Sequence, residues 1–455
     1  MLVLKKTLIR LIGALTLCGG LVAITILIIK NHIESGDQQL EACQLDPDKC
    51  LNRLMPENYD SILHDADEII VNDQLNTKFF RKFKYHFDQR VSHTQELRDT
   101  NRELYQQYMG AEIHEPKVAG LVRPSEDYQL TSATLVAFLK DKEADQLIAT
   151  MQQVEKTFNR KFHYPWTFIS EKPFPAKFKK KVAQTTTSEC QYVVLEGSQW
   201  EQPAHIDKAK QQEGYEYLKS KKIQYATQVS YHNMCRFYSG TFFHLQQLQK
   251  YKYYWRVEPG TSYYCDIDYD VFKFMEEHGK TYGFTLNIYD QPDTIRSLWD
   301  TTVDFLKEHP QYVNAEGSFD WLLQDLEHPD YNTITNGYST CHFWSNFEIG
   351  DMDFFRGESY TKWFEHLDQA GGFYYERWGD APVHSIGLGL FEDKAKIHWF
   401  RDIGYSHTPY SHCPTSNKCH GCEAGVFAEH HGDDKQNCMA NWIKYSMTEK
   451  ELDIY

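Results

Sequence analysis

The sequence has little positive charge. Its 48 Lys and Arg stand against 64 Asp and Glu, a formal net charge of −16. A polyanion such as nucleic acid is therefore excluded as partner, and any phosphate the protein handles must be neutralised by a few placed side chains. The one dense basic run, Lys177-Phe-Lys-Lys-Lys181, reads as a solvated face. There is no Asn-x-Ser/Thr acceptor anywhere, which excludes N-glycans on this chain even if it enters a secretory compartment. Internal repeats and low-complexity segments are also missing. Paired Cys-x-x-Cys spacing is missing too: Cys419 and Cys422 have no second pair beside them, so Cys413, Cys419, Cys422 and Cys438 point to disulfides rather than a zinc ribbon.

Uncharged residues run unbroken from Leu11 to Ile29, 19 in all. At about 1.5 Å per helical residue this spans a bilayer core of roughly 30 Å. Lys5, Lys6 and Arg10 precede the run and Glu34, Asp37 and Glu41 follow it, so the positive-inside rule leaves residues 1–10 in the cytoplasm. The run exceeds the apolar core of a signal peptide and reads as a signal anchor. Cysteine usage agrees with a lumenal body. Apart from Cys18 in the membrane run the cysteines are ten, an even number as oxidised pairs would be, and Cys43 with Cys50 closes a short loop.

Residues 30–127 are polar and acidic, with a helical pattern over Lys82–Gln107 whose apolar positions are sparse, and they read as a stem. Composition changes at Ser132. The buried-strand run SATLVAFLK is followed by an amphipathic helix over Ala144–Phe158 and a second strand in YPWTFIS. Further strands fit Cys190–Glu196, Tyr253–Glu258 and Thr281–Tyr289, with helices at Ile206–Ser220 and Val271–His278. Strand, helix and strand in this order predict an α/β domain over 128–455, with ligands beyond the carboxyl ends of the strands.

Glu258 stands at such an end. Pro259 and Gly260 stop the strand there, so the glutamate projects into the loop region where substrates bind. The nearby Asp266-x-Asp268 is a weak metal signal, because acids two apart occur by chance in an acidic chain, and Asp270 fits the N-cap of the next helix. On the residues alone the metal could belong to either group, and Glu258 could instead pair with Arg256. Thirty Tyr and ten Trp offer faces for stacking sugar rings, although most serve the core.

At this point the sequence resembles a known family. Segments YHNMCRFYSGTFFHL (Tyr231–Leu245), YYWRVEPGTSYYCDIDYDVF (Tyr253–Phe272), CHFWSNFEIGDMDFFR (Cys341–Arg356), GGFYYERWGDAPVHSIG (Gly371–Gly387) and HWFRDIGYSHTPYSHCP (His398–Pro414), with FNRKFHYPWTFISEKPF before them, resemble the fungal Golgi α-1,2-mannosyltransferases. The resemblance implies a type II Golgi membrane protein with a single-domain A-type glycosyltransferase fold, a Rossmann-like mixed sheet flanked by helices. It implies retaining transfer of mannose from GDP-mannose to a mannose hydroxyl of a glycoprotein glycan, with Mn²⁺ as cofactor.

Residue by residue, the resemblance implies Glu258 and His407 as metal ligands and Glu348 as catalytic nucleophile or stabilising carboxylate. Tyr231, Lys140 and Arg256 fall on the donor site, Asp380 and Trp344 on the sugar-binding region. Gly260 stands where the family has an aspartate, and Lys140 where it has an arginine. The missing acid motivates an alternative, a catalytically weak, lectin-like mannan-binding paralogue of the same fold. A lumenal glycosidase built on Glu348 would leave Glu258 and His407 without a role.

Overall fold

The run Ala133–Phe138 (β1) is buried at every position, as are Trp166–Ser170 (β2) and Tyr253–Val257 (β4), so these strands are covered on both faces. Cys190–Val194 (β3) is only half-buried and forms the sheet edge. The computed structural model describes residues 94–125, 128–140, 142–323 and 327–455, which fall in the unit Lys78–Tyr455. The expected cytoplasmic tail, membrane helix, most of the stem and the Cys43–Cys50 pair lie outside the described residues.

The remaining strands are short: Ser262–Tyr263 (β5), Tyr282–Phe284 (β6), Asn287–Tyr289 (β7), Cys341–Phe343 (β8), Phe347–Asp351 (β9), Ile397–Trp399 (β10), Tyr405–His407 (β11) and Tyr410–His412 (β12). Seven strands form the main sheet in the order β10-β6-β9-β4-β1-β2-β3. β1 runs parallel to β2 and β4, and β2 to β3, whereas β9 is antiparallel to both β4 and β6. The fold is thus a mixed α/β sheet in a single domain. β11 pairs with β12 and β5 in a small separate sheet beside it.

Two expectations are corrected here. The stretch Thr281–Tyr289 is not one strand. It bends at Thr285 and Leu286, whose carbonyls accept from Trp399 Nε1 at 3.1 Å and from the Trp344 amide at 2.9 Å. The bend sends β6 into the main sheet and β7 to pair with β8. The strand carrying Glu348, β9, has no counterpart in the sequence reading. Nearer the N-terminus, the helix Thr94–Gly110 buries Asn101, Tyr105 and Met109, so this part of the expected stem belongs to the folded body.

The four C-terminal cysteines are in disulfides: Cys413–Cys422 with each other, Cys419 with Cys265, and Cys438 with Cys341. Complete pairing does not hold, because Cys190 and Cys235 are thiols. Burial pushes both up, to about 11 and about 12, and they act as small apolar side chains.

Candidate active site

A cleft of about 1150 Å³ opens beyond the carboxyl ends of β1, β2 and β4. Lys140 follows β1, Glu171 follows β2 and Glu258 follows β4, each at a position where the chain leaves the parallel sheet. The cleft also takes Tyr231 from the helix Val229–Ser239, His407 from the end of β11 and Asp380 from the start of the helix Asp380–Phe391. Trp344, Ser345 and Asn346, in the turn between β8 and β9, complete the wall. Seven of the eight sequence-predicted residues therefore share one cavity: Tyr231, Lys140, Arg256, Glu258, His407, Asp380 and Trp344.

Glu258 is held by a turn. The Thr261 amide donates to the Glu258 carbonyl across Pro259 and Gly260, and Gly260 has φ +83°. Proline then glycine with positive φ is a type II β-turn, in which glycine is favoured at the third position. A Cβ on Gly260 would meet nothing within 4 Å. The departure at residue 260 therefore has a backbone reason, and it leaves Glu258 in place.

The imidazole of His407 is half-buried; burial pulls its pKa down, against the nearby Glu258 charge, so it stands neutral. Asn346 lies 3.3 Å from Nδ1, and its buried Oδ1 has no hydrogen-bond partner. Turning that amide lets Oδ1 accept Nδ1–H and leaves the Nε2 lone pair for a metal. One carboxylate and one neutral imidazole on one cleft are a donor set that fits Mn²⁺, whose remaining positions phosphate oxygens and water can fill. Among the described residues no cluster of three or more His, Cys, Asp or Glu is arranged to hold a metal.

Behind the cleft floor lies a buried ionic cluster whose register follows from the sheet. Arg256 on β4 stands directly opposite Glu348 on β9, and Glu258, just past the end of β4, lies two residues further along on the same face. The Arg256 guanidinium bonds Glu258 Oε1 through Nε at 2.7 Å and through Nη2 at 2.6 Å, and Asp380 Oδ2 through Nη1 at 2.5 Å. It lies 3.7 Å above the Tyr238 ring and 3.7 Å from Glu348 Oε1. Burial alone would raise the Asp380 carboxyl, but Arg256, His384 and Ser345 hold it below the usual range.

Glu348 does not line the cleft. It is fully buried, and its Oε2 accepts from the Tyr282 hydroxyl and from His384 Nδ1, both at 2.9 Å. The other nitrogen of His384 faces the Tyr238 carbonyl at 2.9 Å. Burial opposes charge on His384, but the Glu348 carboxylate more than offsets it and the pKa is raised, so both nitrogens donate. The residue expected as nucleophile is therefore placed as an anchor for Arg256 and His384. The physical reason is cover: Tyr282, His384 and Arg256 enclose Glu348, so Arg256 reaches the cleft and the glutamate behind it does not.

The acids of the Asp266-x-Asp268 pair are elsewhere. Asp268 bridges Lys161 at 2.8 Å and Lys418 at 3.1 Å, while Asp266 is exposed. Asp270 caps its helix, accepting from the Phe272 and Lys273 amides. Several cleft residues escaped the sequence reading. Arg377 donates to the Tyr231 hydroxyl at 3.0 Å, and Tyr225 stacks on the Tyr231 ring at 4.7 Å. Glu143 lies beside Lys140 with its carboxyl raised by burial. Arg377 and Asn346 sat within motifs already quoted, next to the residues chosen. Glu143 and Tyr225 carried no signal at all.

The family described as glycolipid 2-alpha-mannosyltransferase matches residues 85–447. Probable mannosyltransferase KTR4 of Saccharomyces cerevisiae is 41% identical over 448 residues, 96% of either chain. Glycolipid 2-alpha-mannosyltransferase 1 of Candida albicans is 41% identical over 325 residues, 70% of either chain. Among solved structures, the mannosyltransferase Ktr4p of S. cerevisiae in complex with GDP superposes with a TM-score of 0.80 at 42% identity, covering 87% of this chain and 99% of that one. Core-mannan synthase A of Aspergillus fumigatus, in a Mn/GDP form, gives 0.72 at 47% identity, covering 74% and 92%. The chain belongs to the glycolipid 2-alpha-mannosyltransferase family and is a glycosyltransferase.

Proposed function

We propose that the protein transfers α-mannose from GDP-mannose, with retention, to a mannose hydroxyl, O-2, of glycoprotein glycans in the Golgi lumen, anchored by residues 11–29. The observation that carries this is the meeting of Glu258 and His407 on one cleft with Lys140 and Arg256, within a chain of this family. Relatives solved with GDP and with Mn and GDP support the donor and the metal. Glu258 and His407 would hold Mn²⁺, which when bound neutralises the charge gained by a diphosphate leaving group.

The chain's own residues do the rest. Lys140 offers a point charge to the diphosphate, without the bidentate fork of an arginine. Arg256 is saturated by carboxylates, so its task is to fix Glu258 and Asp380 rather than to grip phosphate. Tyr231, backed by Arg377 and Tyr225, gives a rigid ring against the donor. Asp380 and Trp344 face the side where an acceptor sugar would lie, Trp344 held edge-on by His407 at 5.3 Å and Tyr410 at 5.2 Å. Same-face attack, in which the leaving phosphate takes the acceptor proton, needs no carboxylate nucleophile and fits Glu348 lying off the cleft.

The test is GDP release by the full-length protein in detergent, given GDP-mannose, Mn²⁺ and methyl α-mannoside, followed by NMR of the product linkage. No Mn²⁺-dependent release would overturn the reading in favour of the lectin-like alternative, and a new linkage other than α-1,2 would correct its regiochemistry.

A further inference from the structure

The transfer chemistry described above leaves one wall of the cleft without a task. Asp433, Lys435 and Gln436 line it together with Tyr410, whose ring lies 5.2 Å from that of Trp344. Burial, and then the charge of Asp433, push the Tyr410 phenol up to about 12, which places these two side chains near each other. All four can be reached from the cleft. Lys435 is exposed, Asp433 and Tyr410 are half-buried, and Gln436 keeps 8% of its surface open. Their polar side-chain atoms make no hydrogen bond or ion pair among the described residues, and none of those atoms is sealed from solvent.

The segment that carries three of them is fixed in place. The Cys438 amide donates to the Asn287 carbonyl at 3.0 Å, Asn437 bridges to Ile288 on β7, and the Cys341–Cys438 disulfide ties the segment to β8, close before Trp344. Groups held this way lose little freedom when a ligand binds. Their balance selects the ligand. One carboxylate, one ammonium, one amide and one hydroxyl carry no net charge, yet offer both donors and acceptors, and Trp344 and Tyr410 add ring surface. An anion would meet the Asp433 carboxylate, whereas a neutral sugar, whose hydroxyls donate and accept, can satisfy every one of these groups.

We infer that this wall is a second acceptor subsite, holding the penultimate mannose of a glycan whose terminal mannose lies by Trp344 and Asp380. The inference rests on the transfer reading above. It makes the enzyme take a disaccharide end in preference to a single sugar, with no change at the reacting centre.

Asp433→Ala combined with Gln436→Leu tests it in the full-length enzyme. Each change removes a polar group that has no hydrogen bond or ion pair among the described residues, and leucine nearly keeps the volume of Gln436. Wild type should show kcat/KM for methyl α-1,2-mannobioside roughly tenfold above that for methyl α-mannoside, the worth of one or two net hydrogen bonds. In the double variant that advantage should fall to about twofold or less, through KM, with the methyl α-mannoside rate and the melting temperature unchanged. A wild type without the preference, or a folded variant that keeps it or loses both substrates equally, would overturn the subsite. Should the double variant melt early, Lys435→Ala, on an exposed side chain, is read by the same two outcomes. If neither acceptor is turned over, the transfer reading fails, and saturation-transfer NMR with the mannobioside alone decides the wall. Weaker transfer in the variant than in wild type supports it, and equal transfer, or none in either, rejects it.

Discussion

Replacing Glu348 by glutamine separates an anchor from a nucleophile. The wild-type carboxylate is fully buried, bonded to Tyr282 and His384 and facing Arg256 at 3.7 Å. Glutamine keeps the volume, and its oxygen can still accept from Tyr282 and His384. Its amide then points donors at Arg256, which keeps Glu258 and Asp380, while buried His384 loses its nearest compensating charge. Breaking a buried pair from one side costs about 3–5 kcal/mol. Because the shape and part of the hydrogen bonding survive, we expect about 3 kcal/mol here, or about 6 °C at roughly 2 °C per kcal/mol for a domain this large.

The loss should depend on pH in a definite sense. The folded pKa of His384 lies above its ordinary value, raised by Glu348 against the pull of burial. A group shifted this way stabilises fully below its unfolded pKa of about 6.5 and loses that contribution as pH climbs through the raised folded value. The stability gap between wild type and Glu348→Gln should therefore be widest below pH ~6.5 and narrow above it. The assay is thermal unfolding at several pH values beside GDP-mannose turnover on the same preparations. A variant that melts like wild type at every pH while turnover falls by about a thousandfold would refute the reasoning, since the carboxylate would then act on substrate and not on the fold.

Glu258→Gln breaks a pair with buried Arg256 and so should lower the melting temperature, but Mn²⁺-dependent GDP release by the protein that stays folded should still fall by about a hundredfold or more, whereas Asp268→Asn should change it little; comparable losses in both would move the metal site. Gly260→Asp places a side chain at φ +83° in open space, so it should cost about 1 kcal/mol in denaturant unfolding while lowering the Mn²⁺ concentration needed for half-maximal turnover. Burial raises Asp270 from 3.8 to about 7, so the fold favours its neutral form and wild type loses stability as pH rises from about 4 to about 7. Asp270→Asn, an equally good helix cap, should flatten that slope in denaturation series at pH 5 and pH 7.5.

What could be read from residues alone followed from how locally each feature is determined. β1, β2 and β4 were legible because strands covered on both faces are continuous apolar runs, and Glu258 because Pro-Gly marks where such a strand must stop. The Asp270 cap was legible for the same local reason. β9 was not, since FEIGD becomes a strand only by being inserted between β4 and β6, partners about 100 and about 60 residues earlier in the chain. That one long-range pairing also decides the chemistry. It sets Glu348 against Arg256, whose other contacts clamp Glu258 and Asp380, and so leaves those two carboxylates on the cleft beside Arg256, with Glu348 behind it. A motif places residues in order along the chain, but only the register across β4 and β9 says which carboxylate faces solvent and which faces the core.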